Sequence, residues 1–577
     1  MIYLEVIKKV SSVLNKEEKV QSFFLLISIL FAILLETFGL ASFFPLMSAV
    51  VDQNYFSNPF YQKVSSFFGI KSINLNIFFI FFISLFIFKN IYLVIITYWQ
   101  NYFTNKVSLR IGNDLYSSYL NKNLSFHLKS NSAYLIRNIN ESTTIDAILL
   151  RILVLINEFL LIIGIVVLLF YVNFLVTSSI LFIIILTLFI YNLFTKSTIK
   201  SFGEKKFLYT GSYMKNLFEG INGFKEILLF NKKNFFIKKN FEYRKRLLNF
   251  QLIFSIFAYL PRAIIEVICI ISFMILIHLL MKNQNTIQDI IPIIAVFSAS
   301  AFRLFPSALK IFTSLQSFSY FKPIIDNLEN ETRNRYTDVD EDVKENLNEA
   351  QEIAFAKEIN ISGVNFQYSD NKNLLSNVNL KIKKGNTIGI IGKSGVGKST
   401  FLNIFTGLLQ PTKGTILVDG LDLVNKMTSW RKKLGYVSQE IFLLDSSIVE
   451  NIAFGTSKEN INYQKIDKCI NLAELDIYID QLKDGFNTMV GEKGIRISGG
   501  QRQRLGLARA LYNEPDILIL DEATNSLDIN TENTILNTLK NLKNEFTILM
   551  ISHHENPLKI ADEIYELKSN TLQKKIR

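Results

Sequence analysis

Cysteine is nearly absent: 577 residues contain two, Cys269 inside an apolar run and Cys469 in the C-terminal part. Two thiols so placed exclude a disulfide framework and a cysteine-ligated metal cluster, and both are expected to be reduced and structural. Charge is also scarce. Asp, Glu, Lys and Arg make up 19% of the chain while apolar residues reach 49%, with fifty phenylalanines. At this length the chain exceeds one ordinary core, and its composition is too apolar for two water-soluble domains, so part of it is expected in lipid. Internal repeats and low-complexity tracts are missing. A cleaved leader is not expected either: the first twenty residues mix Lys8, Lys9, Lys16 and Lys19 with Glu17 and Glu18, and the apolar run behind them is too long for a signal-peptide core. It is expected to stay as a membrane anchor.

Six apolar runs reach the length needed to span a bilayer, about 20 residues. They fall at roughly 22–45, 77–98, 148–171, 174–195, 253–280 and 289–313. Only Tyr171–Asn173 separates the third from the fourth, which predicts a tight hairpin. The net charge of +12 is gathered in two connections: Lys106, Arg110, Lys122, Lys129 and Arg137 in one, and a run from Lys205 to Arg246 in the other. The opposite loops hold little beyond Lys63, Lys71 and Lys282. By the positive-inside rule the amino terminus and both basic connections are cytoplasmic. The charge is thus topological, and nucleic acid is not an expected partner. In the first outer loop, Phe60, Val64, Phe67 and Phe68 share one helical face, either lying in the outer interface or packing a loop. Residues 322–350 turn polar and acidic, which divides the chain into a membrane domain 1–321, a linker 322–350 and a soluble domain 351–577.

Charges inside the apolar runs are costly and face a cavity or a partner. They include Glu36, Arg151, Glu158, Arg262, Glu266 and Arg303. Arg262 and Glu266, four apart, can form an internal ion pair. Alternatively, Arg262 and Arg303 lie at similar depth and suit a diphosphate group, which makes both candidate substrate contacts.

The soluble part turns on Gly392-Lys393-Ser394-Gly395-Val396-Gly397-Lys398-Ser399-Thr400, between a buried-strand pattern at 387–391 and a helical pattern through Leu402, Phe405 and Leu409. The glycines let backbone N–H groups face an anion, Lys398 is spaced to reach β- and γ-phosphates, and the Ser399 hydroxyl can ligate Mg²⁺. The helix N-terminus adds a favourable dipole. A nucleoside triphosphate is the expected ligand.

Downstream follow Gln439, the run Ile497-Ser498-Gly499-Gly500-Gln501, the strand Ile517–Leu520 ending in Asp521-Glu522, then Asp528 and His553. This ordered set resembles the nucleotide-binding domain of ATP-binding-cassette (ABC) transporters over about 353–577. The resemblance implies an α-helical six-span domain followed by an α/β P-loop ATPase. Asp521, with Ser399 and Gln439, would hold Mg²⁺; Glu522 would polarise the attacking water; His553 would meet the γ-phosphate. Tyr368 matches the aromatic that stacks on adenine. Ser498, Gly499, Gly500 and Gln501 open a helix and form a second anion site. In the family this signature closes on the cradle of the other subunit, so a homodimer with two ATP sites is implied, Lys398 of one copy opposite Ser498 of the other. Two departures stand out: Ile497 replaces the usual Leu, and His554 stands where Arg is common, leaving open which histidine is the switch; His553 is favoured by its spacing after Ser552. Gly491-Glu492-Lys493-Gly494 matches an exporter segment, and stretches near 121–137 and 215–230 are the implied coupling helices.

Six spans and one cassette resemble an exporter half-transporter, placed in a bacterial inner membrane with its ATPase domain cytoplasmic. Segments around Glu36, Pro261–Glu266 and Phe302–Ala308 resemble the PglK-type flippases, implying as cargo a polyprenyl-diphosphate-linked oligosaccharide moved from the inner to the outer leaflet. The rival expectation is a drug, lipid or peptide exporter; twenty residues before the first span are expected to leave no room for the peptidase that many peptide exporters carry. A non-transporting regulator or channel fits the intact Glu522 and His553 less well, and six spans exclude a soluble DNA-acting ATPase.

Overall fold

The computed structural model describes residues 2–51, 55, 58–59, 61, 75–172, 174–282, 287–334, 353–368, 373–424, 426–491, 494–523, 529–543 and 545–575, excepting some side chains, chiefly in 2–4, 175–192, 269–293 and 529–531. Most of the outer-loop segment 58–68, Glu492, Lys493 and Asp528 lie outside the described residues, as does the side chain of Cys269. The chain forms two units: Met1–Leu120 with Lys129–Thr337, and Asn121–Leu128 with Asp338–Arg577.

The first unit is helical: α1 (Ile2–Val13), α2 (Lys16–Ala41), α3 (Phe43–Val51), α4 (Leu75–Leu120), α5 (Leu124–Lys129, shared with the second unit), α6 (Ser132–Ser142), α7 (Ile145–Val172), α8 (Phe174–Asn222), α9 (Phe224–Leu229), α10 (Lys233–Lys282) and α11 (Ile287–Arg333). Among the described residues, five stretches are long and apolar enough to cross a membrane. The expected fourth span falls in α8, where many side chains are outside the description. The expected tight hairpin appears as α7 ending at Val172 and α8 starting at Phe174. With 46 residues in α4 and 49 in α8, a rise of about 1.5 Å per residue makes each helix roughly twice the length of a ~30 Å hydrocarbon layer. The basic connections anticipated from sequence are therefore largely continuations of the spans.

Local chemistry sets the helix starts. Asn15 caps α2 in a box with Glu18, each side chain accepting from the other's backbone N–H. The same Glu18 carboxylate takes Arg110 of α4 at 2.6 and 2.7 Å. Arg110 also donates to the Val13 carbonyl and Asp114, so one guanidinium ties α1, α2 and α4 together.

The helix α11 runs on into the residues expected as linker. Residues 322–333 remain helical because their charges pair with α1: Lys322 with Glu5 at 2.8 Å, and Asp326 and Glu329 with Lys9 at 2.8 and 3.1 Å. Val6 and Val10 are buried. The acidic composition of 322–333 therefore serves helix pairing. Contact between α8 and α11 depends on Gly203, where an added Cβ would lie 2.2 Å from the Tyr320 carbonyl oxygen. Backbone cannot move aside as a side-chain tip can, so Gly203→Ala is expected to destabilise the helical unit by about 1–3 kcal/mol. Thermal unfolding in detergent reads this; an unchanged midpoint would show that the helices separate without cost.

The second unit is α/β. An antiparallel sheet of order β2-β1-β4-β5 comprises β1 (Glu358–Gln367), β2 (Asn373–Lys383), β4 (Lys413–Val418) and β5 (Leu421–Asp422). The larger sheet has order β10-β9-β3-β8-β7-β6, from β3 (Thr387–Ile391), β6 (Leu434–Val437), β7 (Ile517–Asp521), β8 (Thr547–Ser552), β9 (Glu563–Lys568) and β10 (Thr571–Lys575). β7 and β8 are buried along their whole length and β3 nearly so. Such unbroken apolar runs belong to parallel strands covered on both faces. β3 pairs in parallel with β8, β8 with β7 and β7 with β6, so the loops after all four leave the same edge of the sheet. Asn121–Leu128 groups with this unit, and Leu124 packs against its core.

Candidate functional site

The loop after β3 is the cradle 392–397, which runs into α12 (Lys398–Phe405). Gly392 is required by space: a Cβ would stand 2.8 Å from the Leu567 carbonyl oxygen and 3.0 Å from Val396. Gly397 is required by conformation, with φ +110° at the helix N-cap, a region L side chains rarely enter. Ser394 and Gly395 form the exposed rim, and Ser399 and Thr400 begin the helix, Ser399 exposed and Thr400 buried. The Lys398 ammonium is buried and donates to the Gly392 carbonyl at 2.7 Å, folding back over the cradle.

The neighbouring strand ends complete the site. Asp521 ends β7, and its carboxylate accepts from the Tyr436 hydroxyl of β6 at 3.0 Å. Burial pushes the Asp521 carboxyl above its usual range, against the Tyr436 hydrogen bond, which holds it down. Glu522 follows at φ +51°, uncommon for a residue with a side chain and a form of strain that collects at working sites. Its backbone N–H donates to the Ile551 carbonyl at 3.0 Å. Its carboxylate meets three of the expected residues: Lys398 Nζ at 3.2 Å, Gln439 Nε2 at 2.9 Å and His553 Nδ1 at 3.5 Å. Of the two histidines, His553 faces Glu522, while the His554 backbone N–H turns to Ser552 Oγ at 3.0 Å. Four loops distant in sequence thus converge on one carboxylate. Tyr436 was not anticipated; its place as an outward residue on the strand before Gln439 was the available signal.

Tyr368 directly follows β1, its ring edge-on to Phe366 at 5.0 Å between centroids. Ser498 caps α13 (Gly499–Tyr512). Gln501, expected among the ligand contacts, forms the reciprocal half of this capping box, so its side chain is engaged within the cap. Gly499 is open, with nothing within 4 Å of an added Cβ, and Ile497, which stands where Leu is usual, packs on the core. A hydroxyl, a carboxylate and an amide are hard oxygen donors that suit Mg²⁺ shared with phosphate oxygens. Among the described residues no group of three or more His, Cys, Asp or Glu forms a self-sufficient metal site.

In the helical unit, Arg303 is not a free cation. It donates to Glu36 at 3.1 and 2.8 Å in a two-pronged pair and lies 3.6 Å from Glu158. Glu158 is buried and also accepts from Lys310 at 2.7 Å and Ser307 at 2.6 Å. Arg262 stands apart: both it and Glu266 are exposed, without an ion pair between them among the described residues, and Arg262 lies over the Tyr259 ring at 5.8 Å. A cavity of about 490 Å³ opens beside the Glu36–Arg303 pair, walled by Leu40, Phe43, Phe86 and Phe302, with Lys89 on its rim and Arg262 not among its lining residues. Lys89 and Lys310, both inside expected spans, were missed; the rule that singled out the other interior charges applies equally to them.

Comparison with known proteins agrees with this division. Residues 375–525 match the ABC transporter family and residues 22–304 the ABC transporter transmembrane region. Over 217 residues the chain is 40% identical to the leukotoxin translocation ATP-binding protein LktB of Mannheimia glucosida, covering 37% of this chain and 30% of that protein. Over 217 residues it is 37% identical to the heterocyst differentiation ATP-binding protein HepA of Nostoc sp., covering 37% and 35%. It is 41% identical over 209 residues to the alpha-hemolysin translocation ATP-binding protein HlyB of Escherichia coli O157:H7, covering 36% and 29%. The matched stretch thus spans about a third of the length of these curated relatives. A solved bacterial Atm1-family ABC exporter with ATP bound superposes with a TM-score of 0.73 at 20% identity over 94% of each chain. The chain therefore has the ABC exporter fold: a helical unit that matches the ABC transporter transmembrane region, followed by an α/β unit that matches the ABC transporter family.

Proposed function

We propose that this chain is one half of an ATP-driven exporter that works as a dimer and moves an amphipathic cargo with an anionic head. Lys398 and the cradle amides bind the triphosphate, Ser399 and Asp521 with Gln439 hold Mg²⁺, and Glu522 accepts the proton of the attacking water. When bound, Mg²⁺ would supply charge neutralisation at the phosphates; the chain's own residues position the water and the γ-phosphate. Ser498, Gly499 and Gly500 cap the nucleotide bound to the other copy, which couples hydrolysis to opening of the dimer. The stretches near 121–137 and 215–230 are the coupling elements.

For the cargo, the observation that carries the reading is the cavity of about 490 Å³ with apolar walls and the cations Lys89 and Arg303 at one side. Its size lies within the range of ligand sites, about 300–1,000 Å³. A polyprenyl-diphosphate-linked oligosaccharide is one cargo of this chemistry, the cations taking the diphosphate while the tail stays in lipid. The relatives named for leukotoxin and alpha-hemolysin translocation favour the other expectation, an exporter of peptides, lipids or drugs, over that narrower glycolipid reading.

The deciding experiment is translocation in proteoliposomes of a labelled polyprenyl-diphosphate oligosaccharide, beside a labelled peptide, with and without ATP. ATP-dependent movement of the anionic lipid alone supports the reading, and movement of the peptide alone replaces it. Arg303→Lys, which keeps the charge but loses the fork, is expected to reduce transport per ATP hydrolysed about tenfold. An unchanged ratio would remove Arg303 from cargo binding.

A further inference from the structure

The Arg303 fork already holds a carboxylate. Glu36 takes it with both oxygens, at 3.1 and 2.8 Å, which is the geometry in which a guanidinium also takes a phosphate. Both residues line the same cavity. Side-chain exposure is 25% for Arg303 and 8% for Glu36, so the cavity offers the guanidinium to an incoming group more than the carboxylate. Glu158 stands differently, each oxygen having a closer donor, Lys310 at 2.7 Å and Ser307 at 2.6 Å, while Arg303 is at 3.6 Å.

We infer that Glu36 is an internal competitor for the cargo's anionic head group, occupying the Arg303 fork when cargo is absent and expelling the head group when cargo must leave. The inference rests on the proposed anionic, amphipathic cargo. Binding exchanges one charge-assisted pair for another, so the guanidinium is never left unpaired in a low-dielectric site, where an uncompensated charge is expensive. Lys89 lines the same cavity, lies over the Phe86 ring at 4.2 Å, and feels the charges of both Glu36 and Arg303. Three cations, Lys89, Arg303 and Lys310, face two carboxylates, leaving one positive charge for the head group. Glu158 with Lys310 and Ser307 is the fixed half of the network; Glu36 is the exchangeable half.

The test is equilibrium binding and release of a fluorescent polyprenyl diphosphate by the full-length protein in nanodiscs. Glu36→Gln, nearly isosteric but uncharged, is expected to bind the probe about tenfold more tightly and release it correspondingly more slowly, as removal of a charged competitor requires. Glu158→Gln should alter binding less. Glu36→Asp retains charge but shortens the reach, so it should fall between wild type and Glu36→Gln. That variant decides the matter if Glu36→Gln does not yield a folded dimer. Equal or weaker binding in the folded Glu36 variants, with wild type binding normally, overturns the inference and makes Glu36 a strut for Arg303. If wild type and variants hydrolyse ATP but none binds the probe, the anionic-lipid reading fails and the competition falls with it.

Discussion

Glu522→Gln is expected to abolish multiple turnover, with ATP hydrolysis by the purified protein falling by a factor of about 10²–10⁴, the usual contribution of a positioned general base. The amide keeps the shape of the side chain, and its oxygen can still accept from Gln439, 2.9 Å from the native carboxylate. It cannot accept the proton of water. Nucleotide binding survives because the cradle, Lys398 and Ser399 are untouched, so the variant retains ATP. Phosphate release measured beside binding of a labelled nucleotide separates the two effects. Hydrolysis at the wild-type rate would remove Glu522 from the role of base and leave its φ of +51° and three polar neighbours without an explanation in catalysis.

Lys398→Ala is expected to weaken ATP binding about 10- to 100-fold, the loss of one or more hydrogen bonds from a charged donor to phosphate. The ammonium is among the most buried charges of the second unit and already donates to the Gly392 carbonyl at 2.7 Å. It also stands 3.2 Å from Glu522, so its removal leaves a partly buried carboxylate with one cation fewer and disturbs the base as well as the cradle. Lys398→Arg does not repair the defect. A planar fork needs more room than a compact ammonium, and the cradle wall is tight, as the Gly392 approach to Leu567 demonstrates. Titration with a fluorescent ATP analogue checks this; unchanged affinity in Lys398→Ala would mean that the backbone amides alone hold the triphosphate.

Much of the nucleotide site was legible in the chain because its signals are local. Spacing places Lys398 and Ser399 at a helix start, Ser498 three residues before Gln501 makes a cap, and Ile517–Leu520 reads as a buried strand. The membrane charges were legible only as costs. Arg303 was expected to be available to a ligand and is paired with Glu36, 267 residues away in sequence. Lys89 and Lys310 belong to the same network and were overlooked. The Arg262–Glu266 pair that four-residue spacing allows is not formed among the described residues; both side chains are exposed and Arg262 lies over the Tyr259 ring instead.

Sequence by itself determined the two-part design, the apolar spans and the types of group the nucleotide site contains, since hydrophobic periodicity and loop chemistry depend on near neighbours. Only tertiary structure decided which groups meet. Parallel pairing of β3, β8, β7 and β6 delivers Lys398, His553, Glu522 and Gln439 to one edge, and the packing of α2, α7 and α11 brings Glu36, Glu158 and Arg303 within one another's reach. The physical reason is common to both. Strand order and helix contacts are set by the burial of whole faces, and burial is a sum over the fold that no local stretch records.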